Sequence, residues 1–221
     1  MRPIEWETRG EKMVYHIVGG DWDSSKVDDE AQHSWIEVLE GDINDIRLID
    51  PTLDDGTLIT KEGLDVGRPM MAEGMPTKVV RKGVGLKIKP LVDAEEFYGQ
   101  LLVSDAFKEI VEELEPGVHQ FFPMELYVGD EFQRTDYFFN ICNRLDTMDR
   151  ELSFPINARG FFRPKGGDDY RLVFSKEKIG NHHAWRDKFV PGGATYISNT
   201  LAQRLKEAGI TGLRFNEREE Q

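Results

Sequence analysis

The chain has 221 residues with 41 Asp plus Glu against 28 Lys plus Arg, a net charge of -13. That length fits one compact domain or two small ones sharing an interface, and an acidic surface repels phosphate backbones and anionic lipid, so neither nucleic acid nor membrane is an expected partner. The single cysteine, Cys142, excludes an intrachain disulfide or thiolate zinc cluster and makes a reducing cytoplasm the expected home.

From the N-terminus, Met1 to Arg9 carries no apolar run, and no later window approaches the length of a membrane span. Met13 to Val18 is rich in β-branched and aromatic residues and stops at Gly19-Gly20, a strand pattern. Between Gly20 and Thr77 there are 15 acids against Lys26, Arg47, Lys61 and Arg68, and this is where most of the charge excess lies. Asp21, Asp23, Asp28, Asp29, Glu30, Glu37, Glu40, Asp42 and Asp45 are interleaved with Trp22, Trp35 and Ile36. Aromatic anchors within a charged rim suit a partner-binding surface; the alternative is a solvated acidic loop whose tryptophans turn into the core. Short strands are expected at Ser34 to Leu39 and Ile46 to Ile49, turns from Asp50 to Pro76, and a strand from Lys78 to Lys89 that Pro90 stops. The domain division expected is an acidic region of strands and loops over residues 1–90 and an α+β unit over 91–221.

In the second part, Phe107, Ile110, Val111 and Leu114 recur at the spacing of an amphipathic helix, with Ser104 at the N-cap and Pro116-Gly117 at the end. Val118 to Tyr127 alternates as a strand that Pro123 assigns to an edge or bulge, a turn follows at Gly129-Asp130, and Tyr137 to Leu145 is the next strand. Phe161-Phe162 and Tyr170 to Phe174 add strand material around Gly166-Gly167. Tyr196 to Phe215 then echoes Leu102 to Phe121 at an offset of 94 residues, each reading as strand end, serine cap, helix and strand. The echo fails at Ile110 against Arg204 and at Pro116 against Ile210, which leaves duplication and recurrent supersecondary design both open. Strands punctuated by a few helices without βαβ alternation imply an α+β class with a mostly antiparallel sheet.

Concentrated catalytic chemistry is not visible. His182 and His183 near Asp187 form the densest polar cluster, yet neighbouring strand residues face opposite ways and no HExxH spacing occurs. Gly83-Val84-Gly85 lacks a phosphate-loop pattern, Cys142 lies inside a strand pattern, and Ser104, Ser153, Ser175 and Ser198 lack a nucleophile elbow.

Four separated blocks carry a family likeness: LLVSDAFKEIVEELEPGVHQFFPMELY at 101–127, YFFNICNRLD at 137–146, IGNHHAWRD at 179–187 and ISNTLAQRLKEAGITGLRF at 197–215. In that order they resemble the myxobacterial-type immunity-protein domain family of bacterial polymorphic toxin systems. The resemblance implies a cytoplasmic protein that binds and neutralises a cognate toxin by occlusion, with no catalytic residue, metal or cofactor. It implies that Phe121, Phe122, Trp185 and Phe215 are scaffold before interface. The rival readings are a small metal- or His-dependent hydrolase or transferase using His182, His183 and Asp187, and a structural module of a secretion system.

Overall fold

A computed structural model describes residues 13–21, 36–52, 56, 58, 66–81, 90–166 and 169–221, with the side chains of residues 21, 37 and 38 outside that description. In chain order the strands are β1 (Met13–Asp21), β2 (Ile36–Glu40), β3 (Lys78–Arg81), β4 (Ala94–Phe97), β5 (Gln100–Val103), β6 (Gln120–Val128), β7 (Glu131–Asn140), β8 (Arg144–Leu145), β9 (Val173–Phe174), β10 (Ala184–Asp187), β11 (Thr195–Ser198) and β12 (Gly212–Glu220). Among the described residues three α-helices intervene: α1 (Asp105–Leu114), the single turn α2 (Lys176–Ile179) and α3 (Asn199–Glu207). The caps follow the sequence. The hydroxyls of Ser104, Ser175 and Ser198 accept from the amides of Phe107, Lys178 and Leu201, satisfying a donor that the first helical turn leaves open.

The described strands form two six-stranded sheets. The first runs β8-β10-β11-β1-β12-β9 and the second β2-β3-β6-β7-β5-β4. Both are mixed, which corrects the expectation of a mostly antiparallel sheet: β3 with β6, β8 with β10 and β9 with β12 are parallel pairs. Parallel neighbours need long crossovers, and the returns from β3 to β6 and from β9 to β12 each pass through a hairpin-like pair and a helix, so no local turn signal announces them. Each sheet draws strands from both sides of Pro90, where the sequence placed a domain boundary.

Other differences are local. Ile46 to Ile49 forms one bridge, Leu48 to Met70, in place of a strand. The strand expected from Tyr137 to Leu145 is broken after Asn140, and the chain re-enters at β8 in the other sheet. Pro123 lies within β6, but the Glu125 amide donates to the Thr77 carbonyl at 2.8 Å, so two residues earlier the imide nitrogen points to the same flank, where the β3 ladder has not begun. No ladder bond is lost there.

The echo at offset 94 corresponds to a repeated arrangement of strands. The order β4-β5-β7-β6-β3 in one sheet matches β10-β11-β1-β12-β9 in the other, with the same parallel or antiparallel sense at every pair. Registers agree as well. Leu101, Phe139 and Phe121 lie across one sheet as Thr195, Ile17 and Phe215 lie across the other. Phe121 meets Tyr137 edge-on at 6.4 Å, and Phe215 meets Tyr15 edge-on at 6.1 Å. The middle strand is β7 in one unit and β1 in the other, so the second unit is completed from the opposite end of the chain.

Alternation along these strands splits the core. Ile17, Val103, Phe139 and Ile197 join Phe107, Ile110, Val111, Leu201, Ala202 and Leu205 of the helices in a central cluster. Their strand neighbours point away: Val14, Trp185 and Tyr196 pack under Phe162 and Phe174, while Phe97, Leu102, Met124 and Phe138 pack under Ile46, Met70 and Met75. Truncating a fully buried ring such as Phe139 costs about 3–5 kcal/mol.

Candidate partner-binding surface

Of the acidic residues singled out from the sequence, the structure describes the side chains of Glu40, Asp42 and Asp45, and all three are exposed. Trp22, Asp23, Asp28, Asp29, Glu30 and Trp35, and the side chains of Asp21 and Glu37, lie outside the described residues, as does the Gly83-Val84-Gly85 motif. Glu40 ends the edge strand β2 and binds the Lys78 ammonium at 3.1 Å. Asp42 caps a short 3-10 turn, accepting from the Asn44 amide at 2.8 Å, and Asp45 is 3.9 Å from Arg47 in an ion pair open to solvent. Next to them a narrow ribbon forms through Ile49 N–H to the Pro69 carbonyl and Met71 N–H to the Arg47 carbonyl, at 3.0 and 2.8 Å. It leaves the Ile49 side chain largely exposed and that of Met71 partly so. Asp50 beside it is held below the usual carboxylate range, chiefly by the Thr52 hydroxyl and then its amide.

The polar cluster His182, His183 and Asp187 is not brought together. Asp187 is buried and its oxygens accept from the Thr147 amide and hydroxyl and from the amides of Met148 and Phe189, all within 2.9 Å. His183 shares a 2.7 Å hydrogen bond with Ser198, the cap of α3. His182 turns to Glu115, 3.5 Å away. Among the described residues no group of three or more His, Cys, Asp or Glu is placed to hold a metal ion.

Glu115, just past α1, is a structural node. It accepts from the Ala184 amide at 2.8 Å and from Asn143 at 3.0 Å, and lies 2.9 Å from His119 Nε2. The Cys142 amide donates to His119 Nδ1, so the ring is assigned its proton on Nε2, facing the carboxylate. Burial raises the Glu115 pKa, but the bonds from His119 and the strand amides outweigh burial and hold it below the usual range. Burial pushes the Cys142 thiol up to about 11, which leaves it protonated and a poor nucleophile at neutral pH. Ser153 is occupied by both backbone groups of Val173. Trp185 is fully buried, and Phe121, Phe122 and Phe215 pack against core clusters, in keeping with scaffold roles.

Sequence reading passed over one feature, the aromatic pair of half-buried Tyr127 and exposed Phe132 at the end of the β6–β7 hairpin, whose centroids are 5.6 Å apart. Its signal was available: with Met124 and Leu126 inward, Pro123, Glu125 and Tyr127 must face the other way.

A model of an immunity protein family, Imm11, matches residues 50–220, most of the chain and every strand from β3 to β12. The chain belongs to the Imm11 family. No curated protein matches it. In this Imm11 chain the matched region spans both sheets, and no helix among the described residues is long and apolar enough to cross a membrane.

Proposed function

We propose that this protein binds a cognate toxin of a bacterial polymorphic toxin system and neutralises it by occlusion, in the cytoplasm of the producing cell and without catalysis of its own. Membership of an immunity family is the observation that carries the reading. Two physical features support it. The polar groups weighed for catalysis, Asp187, His183 and Ser198, are engaged in holding backbone amides and a helix cap. The acidic stretch from Asp21 to Asp45 ends in exposed carboxylates at Glu40, Asp42 and Asp45, and such a field accelerates capture of a basic target.

Co-expression of this chain with the toxin encoded beside it is expected to restore growth, and the purified proteins are expected to form a stable complex. Charge reversal of Asp42 and Asp45 to Lys is expected to slow association by roughly tenfold at low salt, with the difference shrinking as salt is added. Failure of rescue together with absence of a complex would overturn the immunity reading; unchanged association rates would remove only the acidic stretch from it.

A further inference from the structure

Among the described residues, the face of the second sheet that carries α1 is covered only at one end. Phe121 and Phe139 pack into the central cluster, but beyond Pro123 and Tyr137 the same face continues over Glu125, Tyr127 and Phe132, with Lys78 and Val80 alongside on β3. Cross-strand register places these side chains together: Lys78 is opposite Glu125, Val80 opposite Tyr127, and Tyr127 opposite Phe132. Phe132 is 54% exposed, and Pro123 and Glu125 are exposed as well. One exposed ring is ordinary on a protein surface, whereas a paired set inside a carboxylate rim has recognisable binding chemistry.

That chemistry is cationic. The Lys78 ammonium already lies 4.7 Å from the Tyr127 ring centroid while bonded to Glu40, so the ring face is used by a cation within the chain itself. The Tyr127 hydroxyl donates to Glu125 at 3.1 Å, and Asp130 and Glu131 are exposed at the turn. The repeated half supplies an internal comparison. The position equivalent to Glu125 is Glu219, where the Arg171 guanidinium engages the carboxylate, with Nε at 3.0 and 3.1 Å from its two oxygens. At Glu125 the bonding partner is a neutral phenol, so an incoming guanidinium would reproduce there the contact that Arg171 makes at Glu219. A second copy of this chain is a poor occupant, because each copy carries a net charge of -13.

We propose that the open sheet face formed by Glu40, Lys78, Glu125, Tyr127 and Phe132 is the toxin-docking surface, and that it takes a basic protein segment whose Arg or Lys side chains lie over the two rings and against the carboxylates. The inference rests on the immunity reading and adds to it a location and a partner chemistry that the acidic N-terminal stretch alone does not give.

The test is binding of the neighbouring-gene toxin, purified in an inactivated form, to the full-length chain and to variants by calorimetry. Phe132→Ala combined with Glu125→Gln is expected to weaken affinity by about 30-fold or more, since a desolvated ring and a charge-assisted bond are both lost, with unfolding temperature unchanged. Tyr170→Ala, which removes an equally exposed ring elsewhere, is expected to leave affinity within about twofold. Hydrogen exchange on the wild-type complex should show new protection in β6 and β7 on either side of Gly129, a readout that does not depend on any variant folding. Wild-type affinity in the double variant, or protection confined to other strands, overturns this surface while leaving immunity intact. A wild-type chain that neither binds the toxin nor relieves its toxicity overturns both.

Discussion

Asp136 sits on β7 among the apolar residues Met124 and Phe138 with 1% of its surface exposed. Burial pushes its carboxyl up to about 6, and the neighbouring Glu95 adds to that rise; Arg134, 2.7 Å away, and Arg81 oppose it without cancelling it. Arg81 on β3 and Glu95 on β4 themselves form a buried ion pair. An unfolded aspartate loses its proton near pH 4, so between about pH 4 and 6 the native state binds more protons, and this group's contribution to stability falls as pH rises. His16 acts in the opposite sense. Burial first, then Arg218 and Arg186, lower its pKa to about 4, so the unfolded chain takes up a proton below about pH 6.5 that the native chain refuses, and stability is lost as pH falls through that window. Asp136→Asn is therefore expected to be more favourable, relative to wild type, at pH 7 than at pH 4.5, by on the order of 2 kcal/mol in urea unfolding. Parallel pH profiles for the two proteins would show that Asp136 ionises normally.

At the scale of elements, two kinds of residue hold the units together with different strength. Ser104 and Ser198 cap α1 and α3, and replacing either by Ala is expected to cost about 1 kcal/mol. Gly212 and Gly19 do something a cap cannot. A Cβ on Gly212, whose φ is +84, would run into the Ala94 carbonyl oxygen and Val92, and one on Gly19 would run into the backbone of Glu95 and Glu96. Only glycine lets β12 and β1 of the first sheet come this close to β4 of the second. Gly212→Ala is accordingly expected to destabilise by more than about 2 kcal/mol, well beyond Ser104→Ala, in thermal or urea unfolding. Equal effects would mean that the two sheets have room to separate. The helices were readable because their stripes repeat every three to four residues; the glycines were not, because the contact that requires them is made by residues distant in sequence.

For the whole molecule, the matching strand orders make β1 the counterpart of β7. In the first unit β6 runs straight into β7 through the Gly129-Asp130 turn, whereas β12 and β1 are hairpin neighbours in register, Met13 opposite Glu219, without being consecutive in the chain. A circular permutant that starts at residue 22 and ends with residues 13–21 joined after Gln221 by a short turn is expected to fold cooperatively with the wild-type circular dichroism spectrum. A permutant that stays unfolded would show that β1 must be delivered from the N-terminal side, and would count against equivalence of the two units. The family match over residues 50–220 covers strands of both units, though not β1.

Composition and periodicity determined the α+β class, the two capped helices and the strand pattern at Met13, because each depends on neighbours within a few residues. The family blocks, too, were legible as an ordered set. The pairing of strands across the chain was decided only in three dimensions: parallel neighbours, the insertion of β1 between β11 and β12, and the exposure of Phe132 all depend on which distant segment covers which face. Local alternation fixes that a strand has two faces, but the burial of each is settled by partners that its own sequence does not encode.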